Sequence, residues 1–295
     1  MAQLNTKPIT SADLIEYLTR TSDFSFELSV LKTLAERGLQ CEHGGTYIDK
    51  ATGKTREFDI RAMKSVGNSL VRMAIECKNV RDYFPILVSC VPRHDEEAYH
   101  EISLVVRDEP ESSLFSVAAL QPRGRTLRLR KVYSLYPPNE MVGKSTSQVG
   151  RVRHDNSIVE NDSDIFEKWS QCVSSAEDLA QRLDEEPAPD DEEAFRLSML
   201  IPIVVVPDGR LWSVPYAVDG TRLADPTCTS RVSCFIGREY EISRVPGQWI
   251  RVSHIELMTP TGLSDFIASA LSTPEVLFAP EGLKAAVEQL KEEYE

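Results

Sequence analysis

The chain has 295 residues, of which 41% are hydrophobic and 27% charged, and its formal net charge is −13. This length allows one large domain or two modest domains with a substantial core. Six cysteines without a CxxC pair argue against a zinc site or a disulfide framework. Neither a signal peptide nor a membrane-spanning apolar run is apparent, so we expect a cytoplasmic protein without a membrane partner.

The negative charge is distributed unevenly along the chain. Residues 1–160 contain 22 Lys and Arg and 21 Asp and Glu, whereas residues 161–295 contain 11 and 25. The first part is therefore close to neutral. A local basic groove for a nucleic acid is compatible with this distribution, although the net charge is negative.

A helix followed by a strand is predicted near the start of the chain. Residues 22–37 (SDFSFELSVLKTLAER) carry apolar side chains at 24, 28, 31, 34 and 35, which is a helical period. Glu27 stands three residues after Phe24 and four before Leu31, so it borders the apolar stripe and is expected to point inward. Residues 39–49 favour a first strand, which leads through a Thr-Gly-Lys turn into the next strand.

The next segment, residues 58–79 (FDIRAMKSVGNSLVRMAIECKN), has the pattern of a β-hairpin. Two alternating runs are separated by Gly67-Asn68, which is typical of a two-residue turn. In that register Asp59 lies opposite Glu76, and the period of a strand puts Lys78 on the same face. The other face is apolar and is expected to enter the core; it consists of Phe58, Ile60, Ala62, Val71, Met73, Ile75 and Cys77.

The charged face of this hairpin suggests metal-assisted chemistry. Two opposed carboxylates repel each other unless a positive charge neutralises them. Mg²⁺ is typically held by one or two carboxylates together with waters and substrate phosphates. Asp59 and Glu76 are therefore candidate metal ligands, and Lys78 could orient the attacking water or stabilise the transition state. In the other interpretation this face is solvated, and Arg61 and Arg72 pair with the acids.

Asp59 and the tripeptide Glu76-Cys77-Lys78 resemble the motif of the PD-(D/E)XK nuclease superfamily, which has the restriction-endonuclease-like fold. Phe58 stands where the name of the motif has Pro. The resemblance implies an α/β (α+β mixed sheet) protein with an αβββαβ core. It also implies a nuclease that depends on Mg²⁺, with Mn²⁺ as a substitute. Several members carry a helix Glu as an additional metal-site acid, and Glu27 matches that position.

The function implied by the resemblance is hydrolysis of phosphodiester bonds, as a DNA endonuclease in bacterial defence or restriction. A competing class is a non-catalytic module that keeps the fold and binds a nucleic acid or a protein. A third class is a resolvase-like or transposase-like enzyme that needs a second subunit. The sequence leaves a homodimer and a partner subunit open.

The second half of the core is predicted farther along the chain. Residues 162–183 carry apolar side chains at 165, 169, 172, 176, 179 and 183, which favours a helix. An acidic linker follows, and residues 199–206 (MLIPIVVV) then favour a buried strand. The predicted organisation is a first core part at 1–83, an inserted segment at 84–160, a second core part at 161–207 and a β-rich C-terminal extension at 208–295. Within the extension, strands are predicted at 211–218, 230–243 and 249–257, followed by a short helix near 263–271 and a charged helix at 281–295.

The inserted segment is predicted to contain a short helix at 93–102 (RHDEEAYHEI) and candidate phosphate contacts. Residues 123–131 (RGRTLRLRK) favour a strand with Arg128 and Arg130 on one side, as either phosphate ligands or charges that guard a sheet edge. Residues 142–151 (VGKSTSQVGR) are typical of a polar loop, which would either stay on the surface or bring Lys144, Gln148 and Arg151 to phosphate. The Gly-Lys-Ser-Thr string is not a P-loop, because Pro138 stands where that motif needs Gly.

Overall fold

The computed structural model describes residues 6–20, 22–66, 69–106, 125–183, 195–241, 249–272 and 277–286. The helices are α1 (Ser11–Arg20), α2 (Phe24–Glu36), α3 (Ser163–Gln181) and α4 (Pro260–Ala270), with a 3-10 turn at Lys131–Tyr133 and a further helical stretch at 280–286. The strands are β1 (Gln40–Ile48), β2 (Thr55–Val66), β3 (Ser69–Cys77), β4 (Ile86–Pro92), β5 (Tyr99–Val106), β6 (Arg125–Arg130), β7 (Met141–Arg151), β8 (Ile158–Glu160), β9 (Phe195–Val205), β10 (Leu211–Pro215), β11 (Thr227–Cys228), β12 (Arg231–Glu241) and β13 (Trp249–Met258).

A large mixed sheet organises the protein, so the expected mixed α/β class is confirmed. Within the described ranges 13 strands join it, in the order β1-β2-β3-β9-β13-β12-β7-β4-β10-β11, with β5 on β9, β6 on β5 and β8 on β7. The strands β4–β8 lie in the predicted insertion and β10–β13 in the predicted extension. Both groups continue the sheet, because their edges pair with core strands and with each other.

The register predicted for the hairpin is confirmed. β2 and β3 are antiparallel, with Ile60 opposite Ile75 and Val66 opposite Ser69. The predicted turn residues Gly67 and Asn68 lie outside the described residues. Asp59 and Glu76 are the residues next to the pair Ile60 and Ile75, so this register places both acids at the open end of the hairpin.

Most of the apolar hairpin face enters the core as expected, but Phe58 does not join it. Six of the seven predicted side chains belong to one buried cluster with Val30 and Leu34 of α2. Phe58 is buried elsewhere, with its ring 4.0 Å from the Arg61 guanidinium carbon. Its ring occupies space beside Gly45, where a Cβ atom would lie 2.4 Å from Cζ of Phe58.

Helices cover both faces of the sheet at β3 and β9. α2 and α4 pack on the face that contains the apolar side of the hairpin. α3 packs on the opposite face, where Ala176 and Leu179 meet Ala74 and Leu200. This two-sided burial explains why β9 contains a continuous apolar run, as a parallel strand covered on both faces requires.

Two local predictions in the inserted segment are wrong. Residues 93–102 (RHDEEAYHEI) have the composition of a short helix, but they form turns and the start of β5. The predicted polar loop at 142–151 belongs to β7, which lies between β4 and β12. In both cases pairing with distant strands decides the conformation, and local composition does not report such pairing.

The end of the chain follows the expected strand-rich pattern. β10, β12 and β13 correspond to the three strands predicted after residue 206, and α4 begins where Thr259 accepts a hydrogen bond from the Gly262 N–H at 3.3 Å. The acidic linker at 184–193 lies outside the described residues, as does most of the charged helix predicted at 281–295. Among the described residues, none of the helices combines the length and apolar character needed to cross a bilayer.

Candidate functional site

Asp59 and Glu76, the two acids predicted to face each other, meet at one ammonium group. Lys168 of α3 places its Nζ 2.7 Å from Oδ2 of Asp59 and 3.2 Å from Oε2 of Glu76. Asp59 Oδ2 also accepts a hydrogen bond from the Cys77 backbone N–H at 2.7 Å. The two carboxylates therefore lie within reach of a single cation.

Glu76 is the most strongly perturbed member of this site. Its side chain is 0% exposed, and within the described residues its Oε1 is buried without a hydrogen-bond partner. Burial and the neighbouring charge of Asp59 raise the pKa of Glu76 to about 8, although Lys168 acts in the opposite direction. Burial disfavours the charge on Lys168, but Glu76 and Asp59 together raise its pKa. A buried acid with an unsatisfied oxygen leaves this site with unused capacity to bind a cation.

Lys78 lies at the same end of the sheet but turns toward α2. Its Nζ is 3.2 Å from Oδ2 of Asp23, the residue before α2, whose Oδ1 accepts a hydrogen bond from the Asn79 N–H at 2.9 Å. β3 ends at Cys77. Beyond that point the alternation of a strand no longer fixes the side-chain direction, so the ammonium follows the nearest available charge. The expectation that Lys78 shares the face of Glu76 is wrong in this respect.

Glu27 points inward as expected, and it is engaged by a second residue. Its Oε2 lies 3.3 Å from Nε2 of His43 on β1, and its side chain is 16% exposed. Burial, followed by the charge of Asp59, raises the pKa of Glu27, while the hydrogen bond with His43 lowers it. Glu27 is therefore close enough to Asp59 to affect the charge of the site.

The residues present fit a cation that is held by few protein ligands. Across the described ranges, no group of three or more His, Cys, Asp or Glu side chains is arranged to hold a metal ion. The pair Asp59 and Glu76, with the unpaired Oε1 of Glu76, is a smaller set. Mg²⁺ suits such a set, because it keeps several waters and is commonly held by one or two carboxylates plus substrate phosphates.

Three residues of this region were missed by the sequence analysis: Lys168, His43 and Asp23. Lys168 stands three residues after Ile165 and four before Cys172, which are both buried on the inner side of α3. The position of Lys168 at the margin of the apolar stripe of α3 was the sequence signal that could have placed it near the sheet. Nothing in the local sequence indicated the contacts made by His43 and Asp23.

The predicted phosphate contacts on β6 are engaged within the protein. Arg128 donates from Nε to Oε1 of Glu101 at 2.8 Å, and its guanidinium carbon lies 4.6 Å from the centre of the Tyr99 ring. Arg130 is half-buried, and within the described residues its Nε is buried without a partner. Arg128 therefore neutralises an acid on the adjacent strand β5, and a contact of either arginine with phosphate stays a prediction.

The candidates on β7 also have partners in the fold. Lys144 pairs with Glu97. Gln148 is buried, and its Oε1 accepts a hydrogen bond from the Ile165 N–H at 3.2 Å, so it fixes the first turn of α3 and is not available to phosphate. Arg151 donates to the Asn156 carbonyl at 3.1 Å from an exposed position.

Comparison of this chain with protein-family models, with curated proteins and with solved structures returns no match. The geometry of the site and the order of the elements around it therefore carry the functional argument.

Proposed function

We propose that this protein is a metal-dependent nuclease that hydrolyses phosphodiester bonds, with DNA as its substrate. The observation that carries the proposal is that Asp59 and Glu76 both contact one positive group, the ammonium of Lys168. Within the described residues, one oxygen of Glu76 is also buried without a hydrogen-bond partner. The element order α2, β1, β2, β3, α3, β9, with β9 parallel to β3, supports the resemblance to the restriction-endonuclease-like core. A role in bacterial defence is proposed from the resemblance alone.

The proposed roles follow from the positions of the side chains. When bound, Mg²⁺ would lower the pKa of a water molecule and neutralise charge on the scissile phosphate. Asp59 and Glu76 would hold it, with the Cys77 N–H orienting the carboxylate of Asp59. Lys78 is 24% exposed and pairs with a half-buried acid, so its ammonium is available to a phosphate that competes with Asp23. Glu27 adds negative charge near Asp59 and strengthens the attraction for a cation.

The test is cleavage of plasmid, linear duplex, single-stranded DNA and RNA in Mg²⁺, Mn²⁺ or EDTA. We expect cleavage of DNA with either metal and none in EDTA. Asp59→Asn should lose cleavage and retain the fold. The matched control is Asp225→Asn, which changes a carboxylate of the same type that is 89% exposed and far along the chain. Absence of metal-dependent cleavage on every substrate, together with an unchanged unfolding midpoint in Mg²⁺, would overturn the proposal.

A second function, a non-catalytic binding module, is favoured by one observation. Lys168 already neutralises part of the charge of Asp59 and Glu76 without a metal, so the acids have a structural role available to them. On this hypothesis the protein binds DNA or a protein equally well in EDTA and Mg²⁺. Binding that is independent of metal, in the absence of cleavage, would favour the module over the enzyme.

A further inference from the structure

Lys168 is the residue of α3 that contacts both acids of the site. It lies on α3 between the buried residues Ile165 and Cys172, so its stem follows the covered side of the helix. The side chain is 15% exposed and contacts both acids. An ammonium held in this way occupies the region between two carboxylates where a cation would be bound.

Lys168 does not satisfy every oxygen of the two acids. Lys168 contacts both acids, but it reaches only one oxygen of Glu76, at 3.2 Å. The second oxygen of Glu76 is buried and has no partner among the described residues. A buried acceptor without a partner is costly. The other lysine nearby, Lys78, pairs with Asp23.

We propose that Lys168 is a resident counter-ion of the metal-free protein, which holds the cation position and leaves it when a divalent cation is bound. Its ammonium is then free to contact the phosphate of the substrate. This inference rests on the proposed function, since it concerns the same pair of acids. In this inference the ammonium of Lys168 competes with the metal for the two acids. Lys78, the lysine of the motif, does not have this role.

A purely structural role for Lys168 makes the opposite prediction. If the ammonium were a permanent connection between α3 and the hairpin, its removal would loosen both acids and weaken metal binding. If it competes with the metal, its removal takes a positive charge away from the position of the cation, and metal binding becomes tighter. The sign of the change in metal affinity therefore separates the two roles.

The experiment compares Lys168→Gln with wild type and with Lys32→Gln, which removes an exposed lysine that pairs with Glu36 on α2. Mn²⁺ binding is measured by calorimetry, and the unfolding midpoint is measured in EDTA and in Mn²⁺. We expect the Kd of Lys168→Gln for Mn²⁺ to fall about tenfold, equal to about 1.4 kcal/mol, with a lower midpoint in EDTA and a larger rise on adding Mn²⁺. Lys32→Gln should behave as wild type. An unchanged or higher Kd for Lys168→Gln overturns the inference.

A measurement on the wild-type protein keeps the inference testable if Lys168→Gln does not fold. Amine-reactive labelling, read out by mass spectrometry, should modify Lys168 several-fold faster in Mn²⁺ than in EDTA, while Lys32 reacts at one rate in both. An equal or slower rate for Lys168 in Mn²⁺ overturns the inference. If wild type binds Mn²⁺ and cleaves DNA while this result is negative, only the role of Lys168 fails. If wild type neither binds Mn²⁺ nor cleaves DNA, the proposed function fails and this inference fails with it.

Discussion

Replacing Glu76 with Gln is expected to stabilise the metal-free protein at neutral pH and to abolish cleavage. Gln has nearly the same shape and no charge, and it can still accept a hydrogen bond from Lys168. Glu76 is fully buried, and burial together with Asp59 raises its pKa from 4.5 to about 8. A rise of this size corresponds to on the order of 5 kcal/mol between the two protonation states.

The effect on stability has a defined direction with pH. Below pH 4.5 the carboxyl is protonated in the folded and the unfolded protein, so its ionisation does not affect folding. As the pH rises from 4.5 to about 8, the unfolded chain releases this proton and the folded protein retains it. The free energy of unfolding therefore falls by up to about 1.4 kcal/mol per pH unit. At pH 7 the loss comes to about 3 kcal/mol, and in Glu76→Gln a weaker contact with Lys168 offsets part of the gain.

Urea unfolding in EDTA at pH 5, 6.5 and 8 measures this difference. We expect Glu76→Gln to exceed wild type by about 1–3 kcal/mol at pH 8 and by little or nothing at pH 5. Glu36→Gln is the control, because Glu36 is an exposed partner of Lys32 and its substitution should give a small difference that does not change over this range. A difference between Glu76→Gln and wild type that is constant with pH, or that favours wild type at pH 8, would refute the reasoning.

Three further predictions concern Lys78, Glu27 and His100. Lys78→Ala should abolish cleavage at a cost of less than about 1 kcal/mol in stability. Asp23→Ala should cost more stability, because the Asn79 N–H also loses its acceptor. Unfolding and cleavage assays on both variants check this, and cleavage by Lys78→Ala at the wild-type rate would contradict it. Glu27→Gln should raise the Mg²⁺ concentration needed for cleavage and leave the protein in EDTA as stable or slightly more stable, because repulsion from Asp59 is relieved; an unchanged Mg²⁺ dependence removes Glu27 from the site. Burial lowers the pKa of His100 to about 4, so the unfolded chain takes up a proton before the folded protein does as the pH falls below 6.5. The free energy of unfolding of wild type should therefore fall by up to about 3 kcal/mol between pH 6.5 and 4. His100→Gln should lack this component when urea unfolding is compared at the two pH values, and an equal loss in both proteins would argue against it.

The secondary structure around the site was largely predictable, because the signals are local. The helical period at 22–37 corresponds to α2, and the alternation with a two-residue turn corresponds to the register of β2 and β3. The apolar run at 199–206 corresponds to β9. Details that depend on neighbouring elements were less predictable, since Phe24 and Leu28 belong to the apolar pattern of α2 but are 56% and 43% exposed.

The failures in the inserted segment share one physical cause. Polar and charged residues at 93–102 and 142–151 have no strong local period, so their composition favours a helix and a loop. Pairing of β5 with β6 makes a strand of residues 99–102, and pairing of β7 with β4 makes a strand of the second segment. The same pairing turns Gln148 inward and brings Arg128 to Glu101, so side chains that the sequence offers to phosphate are used within the fold.

By itself, the sequence determined the register that brings Asp59 and Glu76 to the open end of the hairpin, because the period of a strand and the length of a turn are properties of one hairpin. The tertiary structure alone decided which positive charge meets them. Lys168 is 109 positions from Asp59 and 92 from Glu76, and Lys78 is 55 positions from its partner Asp23. The choice between two lysines depends on how α2 and α3 pack on opposite faces of the sheet. That packing is set by apolar burial across the whole domain, and no local pattern in the chain encodes it.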